Sequence, residues 1–171
     1  MRILMVSLDF PPTVGGIAAH VYELSRAMAS LGHSVRVLTR KLAGQPNAQT
    51  LDGLEIQRIT LWGAAPIYGL STDRAIHSLV RRLNPDLVHV HGMAPLEWLR
   101  PLTVPLIYTN HTSGYLARIR KGGIRRMFFL RRNLKKPRLI LAPSRELLEI
   151  PFPVPALLRY IPNGVNTAAY R

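Results

Sequence analysis

The sequence contains no cysteine. That excludes disulfides, thiolate nucleophiles and cysteine-ligated metals, and it fits a reducing compartment. Acids are scarce: 9 Asp and Glu stand against 23 Lys and Arg, a formal net charge of +14 at pH 7. An anionic partner is the natural expectation. No run approaches the ~20 apolar residues of a membrane span. The opening apolar stretch is interrupted at Asp9 and followed by Pro11 and Pro12, which makes it a poor signal peptide. A soluble or peripheral cytoplasmic protein is expected. The Gly-x-Gly-x-x-Gly of dinucleotide binders, the Walker loop and the Gly-x-Ser-x-Gly elbow are missing, so nicotinamide, flavin, NTPase and hydrolase readings have no residues to carry them. No recognised nucleic-acid motif is present either, and there are no internal repeats or low-complexity tracts.

What is present suits one domain with a sizeable core: 171 residues, 47% of them hydrophobic. Arg2 to Val6 reads as a buried strand that ends in a breaker-rich turn. Ile17 to Leu31 repeats apolar residues at helical period and stops at Gly32. Further strands are expected at Ser34–Thr39, Leu54–Leu61, Leu87–His91, Val104–Tyr108, Leu139–Ala142 and Leu157–Ile161. Helices are expected at Thr72–Leu83, near Pro95–Leu99 and in the basic segment after Tyr108, and Arg40 to Asp52 reads as a surface loop. Strands alternating with helices predict an α/β domain, a Rossmann-like parallel sheet with helices on both faces. Ligands then bind beyond the carboxyl ends of the strands.

Several polar residues fall at that edge. Gly15 and Gly16 let the backbone approach a ligand where a helix starts, and unpaired N–H groups there suit phosphate; a tight turn without a ligand is the competing reading. Asp9 follows the first strand, where it orients an acceptor or caps the loop. His91 closes a later strand beside Gly92, and His20 sits one turn past the glycine pair; each reads equally as site or structure. His89 is read as alternating with His91 and facing the sheet as a core residue. Asn110 and His111 follow the next strand, and Ser144, a cleft residue or a helix cap, follows the one after. The His-x-His of 89–91 raises a metal, but no carboxylate or third histidine lies near it in sequence, so no metal is assigned.

In this order the pieces resemble the N-terminal domain of the retaining, GT4-like glycosyltransferases with two Rossmann-like domains, the GT-B architecture. The matching residues are Phe-Pro-Pro-x-x-Gly-Gly (10–16) with His20, Gly-His (32–33) and Pro-Asp-Leu-Val-His-Val-His (85–91). Thr-Asn-His (109–111), Ala-Pro-Ser (142–144) and Ile-Pro-Asn-Gly-Val-Asn (161–166) complete the set. The resemblance implies transfer of a sugar from a nucleotide-sugar to an acceptor without a metal or other cofactor. It implies that this domain shapes the acceptor site. Gly15 and Gly16 would meet the donor diphosphate, His111 would lie at the transferred sugar as the catalytic candidate, and Asn163-Gly164 would mark the crossing to a C-terminal donor-binding domain. Hydrogen bonding to a sugar hydroxyl is the expected role of His111. The family's Glu-x7-Glu pair is not found among Glu23, Glu55, Glu97, Glu146 and Glu149. The 171 residues are therefore expected to be the acceptor-side half, inactive alone.

The charge concentrates between Arg118 and Arg138, where ten basic residues occur without an acid. Arg118, Arg120, Lys121, Arg125, Arg126, Arg131 and Arg132 would line a surface opposite an apolar stripe of Leu116, Ile119, Met127, Leu130 and Leu134, with Phe128 and Phe129 adding bulk. Such a surface suits anionic lipid head groups, a lipid-linked or anionic acceptor, or solvent alone. The alternative to an enzyme is a non-catalytic Rossmann-like module that binds an anionic membrane or glycan.

Overall fold

The computed structural model describes residues 1–64, 66–111 and 123–164, apart from the side chain of Arg126. Its strands are β1 (Arg2–Ser7), β2 (Ser34–Arg40), β3 (Ala48–Leu51), β4 (Leu54–Ile59), β5 (Leu87–His91), β6 (Leu106–Thr109), β7 (Leu139–Ala142) and β8 (Leu157–Tyr160). Its helices are α1 (Gly16–Ser30), α2 (Ile67–Leu83), α3 (Met93–Trp98) and α4 (Ile124–Leu134), and a 3-10 turn covers Arg145–Leu148. The strands form one sheet in the order β3-β4-β2-β1-β5-β6-β7-β8. Every pairing is parallel except β3 with β4.

The central strands are apolar in both phases because both faces are covered. Leu4, Val6, Leu38, Val88 and Val90 point to one core, where α2 brings Ile76, Leu79 and Val80 and α4 brings Leu130 and Leu134. Ile3, Met5, Val35 and Val37 point to the other, against Val21 of α1. Each such buried aliphatic side chain contributes about 1.5–3 kcal/mol.

The segment 40–52 is not all loop. Ala48–Leu51 forms β3, an edge strand paired antiparallel with β4. Asp52 and Gly53 take positive φ values of 49° and 79°. That two-residue Asp-Gly turn twists with the flanking strands, which is why hairpins favour it. Helix α2 begins at Ile67, earlier than Thr72, because Gly69, Ser71 and Thr72 sit inside its first turns with a packing role. A Cβ on Gly69 would lie 2.1 Å from Trp98 Cγ. The Ser71 and Thr72 hydroxyls each donate to the Tyr68 carbonyl at 2.8 Å. The helix ends at Asn84, whose left-handed backbone (φ 45°) stops it as the Asn-Pro-Asp sequence predicts.

Candidate functional site

The chain runs outward from β1 through β2 to β4 and β3, then returns to the other side of β1 as β5. The β1–β5 boundary is thus the topological switch point, where the following loops diverge and open a crevice. Ser7 and His91 are register partners at that boundary, at the carboxyl ends of their strands. Gly92, at φ 80°, turns the chain straight into α3, a conformation that suits glycine.

A cluster of imidazoles gathers at these strand ends. His91 Nδ1 lies 3.0 Å from His111 Nε2. The His20 ring, carried by α1, is 4.8 Å from that of His111 and 5.8 Å from that of His91, centroid to centroid. His89 does not alternate with His91. Two residues apart on a strand means the same face, and their ring centroids are 4.1 Å apart. His89 is buried, and its Nε2 shares a 2.7 Å hydrogen bond with Thr109 Oγ1, so it backs the cluster from within the core.

Electrostatics keep these rings uncharged at neutral pH. Burial pushes His89 down to about 3, with repulsion from His111 and His20 adding to it. Burial and the neighbouring histidines hold His91 well below the usual range. His111 falls to about 4 through burial and the proximity of His20, and burial lowers His20 as well. A group that low is a weak general base near pH 7 but a good neutral hydrogen-bond partner.

Helix α1 starts at the crevice rim. Gly15 is its N-cap, without a side-chain cap, and Gly16 its first residue. A Cβ at either would meet nothing within 4 Å, so nothing in the described fold fills the space beside them. The loop from β1 to α1 is held by two arginines that carry no motif. Arg40 Nη2 donates to Asp9 Oδ1 at 2.9 Å. Arg58, 4% exposed, donates from Nη2 to the Pro11 carbonyl at 3.5 Å and from Nη1 to Gln49 Oε1 at 2.9 Å. Its signal in the sequence is an arginine in the inward, apolar phase of β4, after Leu54 and Ile56.

The other candidates separate. Asp9 is engaged by Arg40, and Asn110 is buried, with its Nδ2 donating to the Leu147 carbonyl at 3.2 Å. Both brace loops. Ser144 stands at the N-cap of the 3-10 turn without a side-chain cap bond. Asn163 and Gly164 are exposed beyond β8. On α4, Arg125, Arg131 and Arg132 are exposed together with Ile124, Phe128 and Phe129, while Leu130, Asn133 and Leu134 are buried. Ile124 is 88% and Phe128 65% exposed. The phenylalanines therefore face outward beside the arginines rather than adding bulk beneath them. Arg118, Arg120 and Lys121, with Leu116 and Ile119, lie outside the described residues, and Arg126 lies on α4. No described helix is long and apolar enough to cross a membrane.

Comparison with known proteins identifies the family and the fold. The family model of Glycosyltransferase Family 4 matches residues 14–169. An alpha-monoglucosyldiacylglycerol synthase of Acholeplasma laidlawii is 30% identical over 66% of this chain and 30% of its own length. A phosphatidylinositol N-acetylglucosaminyltransferase component of Arabidopsis thaliana is 24% identical, over 100% of this chain and 41% of its own length. The chain thus spans well under half of these curated relatives. In structure, sucrose-phosphate synthase from Thermosynechococcus elongatus superposes with a TM-score of 0.78 at 17% identity, over 98% of this chain and 49% of that one. The fold is the Rossmann-like unit of the GT-B architecture, and the chain belongs to Glycosyltransferase Family 4.

Proposed function

We propose that these residues form the acceptor-side half of a retaining sugar transferase that uses a nucleotide-sugar donor and works with a donor-binding half. The observation that carries this is the meeting, at the β1–β5 switch point, of the open start of α1 with His20, His91 and His111. Backbone N–H groups at Gly15 and Gly16 would stabilise the leaving diphosphate without a divalent ion. The neutral His111 would donate or accept a hydrogen bond at a hydroxyl of the transferred sugar and so position it. The cleft would be completed around Asn163 and Gly164, and the isolated chain would be inactive.

The acceptor is proposed to be lipid-linked, met at an anionic membrane surface on the cytoplasmic side. Supporting this, α4 turns Ile124, Phe128 and Phe129 outward among Arg125, Arg131 and Arg132, an apolar and cationic face of the interfacial type. The names of the two curated relatives also specify diacylglycerol and phosphatidylinositol. Sugar transfer from a panel of nucleotide-sugars to lipid acceptors, by this chain alone and joined to a GT-B donor half, tests the reading. Silence in both samples from a folded protein that still binds anionic vesicles would favour the non-catalytic module instead.

A further inference from the structure

The crevice imidazoles have a second chemistry. His20, His91 and His111 each offer a ring nitrogen, and these atoms all lie within 4.8 Å of one another. A tetrahedral metal with bonds of about 2.0–2.1 Å to imidazole nitrogen places its ligand atoms about 3.3 Å apart. The His91–His111 pair, at 3.0 Å, already stands near that spacing. His20 is the ring that must approach. It sits half-buried on the first turns of α1, and a change of its side-chain rotamer is the movement the site would require.

We propose that His20, His91 and His111 bind a transition-metal dication of the Zn2+, Ni2+ or Cu2+ class, one ring nitrogen each, with a fourth position open to water or a small anion. An all-imidazole donor set selects such borderline ions over Mg2+ and Ca2+, which want oxygen. His89 packs against the His91 ring and is tied to Thr109, while the buried His91 Nε2, on the side away from the ion, has no hydrogen-bond partner among the described residues. The competing arrangement is the bond already present, a single proton shared between His91 and His111. Coordination replaces it when the neutral rings carry their protons on the nitrogens facing away from the ion. A metal held there occupies the nitrogens that His111 would offer to a sugar, so it opposes transfer rather than serving it.

The test is titration of tag-free protein with Co2+ alone, followed by visible absorption, then by addition of Zn2+. A saturable d–d band of four-coordinate Co2+ that Zn2+ abolishes is the expected result. His20→Ala and His111→Ala should each weaken binding by at least about ten-fold, while His33→Ala and His77→Ala leave it unchanged. Circular dichroism establishes that each variant is folded, and His20→Asn replaces any that is not. An absent band, or a band indifferent to His20 and His111, overturns the proposal. So does a band lost in His33→Ala, which would put the ion at the amino terminus, where Met1 N lies 3.4 Å from His33 Nδ1.

Discussion

His91 Nδ1 and His111 Nε2 stand 3.0 Å apart at the carboxyl ends of adjacent parallel strands. The contact adds to the ladder of β5 and β6 and to the Gly92 N–H bond to the Thr109 carbonyl, at 3.1 Å, which already hold the two strand ends together. Because the rings are packed with His20 and His89 and largely shielded from water, they are held neutral. Stability, membrane docking and sugar transfer can each be tested through this arrangement and the elements around it.

Acid should destabilise the protein well before its carboxylates titrate. An unfolded histidine takes up a proton near pH 6.5, whereas His89 in the fold does so only at about 3. Stability is therefore full above pH 6.5 and declines as pH falls from there towards the folded value. Each such buried ring costs about 1.4 kcal/mol per pH unit in that window. His89 alone should make urea unfolding at about pH 5.5 show a loss of about 1 kcal/mol against about pH 7.5, and His91, lowered as well, adds in the same direction. His89→Asn should flatten the decline. Equal stability at the two pH values would contradict a neutral, buried cluster.

Gly69→Ala should destabilise the fold by about 1–3 kcal/mol, because overpacking forces side chains or backbone to move. The new methyl would land 2.1 Å from Trp98 Cγ and 2.2 Å from Cδ1. Urea unfolding reads the change, and an unaltered midpoint would show that α2 and α3 are not packed this closely.

Much of this was legible in the sequence because long apolar periodicity and its breakers are local. The central strands, α1, and the stop at Asn84 follow from residues close in the chain. The hairpin of β3 did not emerge from the 40–52 segment, since Ala48-Gln-Thr-Leu51 is short and polar, although Asp52-Gly53 carried the signal. The histidine cluster was half legible. His91 and His111 sit visibly at strand ends and His20 stands as a candidate one turn past Gly15-Gly16, but that its ring meets theirs depends on the crossing of α1 over the sheet, which no local pattern encodes. Arg58 was hidden for the opposite reason: a charge in the buried phase of a strand reads as surface until its partners, Gln49 and Pro11, are in place.

Membrane docking should depend on the outward face of α4. Arg125, Arg131 and Arg132 each contribute about 1 kcal/mol near an anionic surface. Changing all three to Glu should weaken binding to phosphatidylserine-containing vesicles by a factor on the order of a hundred or more. Phe128→Ala should weaken it further and leave the salt dependence intact, since it removes insertion rather than charge. Vesicle sedimentation at low and high salt checks both. Equal affinity for neutral and anionic vesicles would remove the membrane from the proposed function.

Whether the α1 start and the histidine cluster form the acceptor-side half of a sugar-transfer site is decided by the rate of transfer from nucleotide-sugars. The chain is joined to a donor-binding half, and the rate is compared with His111 intact and as His111→Ala. Transfer by the joined protein and none by the chain alone are expected. In the folded His111→Ala variant, kcat should fall by about ten- to a hundred-fold, the loss expected when one hydrogen bond to the reacting sugar is removed. Undiminished transfer by that variant, or transfer by the chain alone, would refute the assignment.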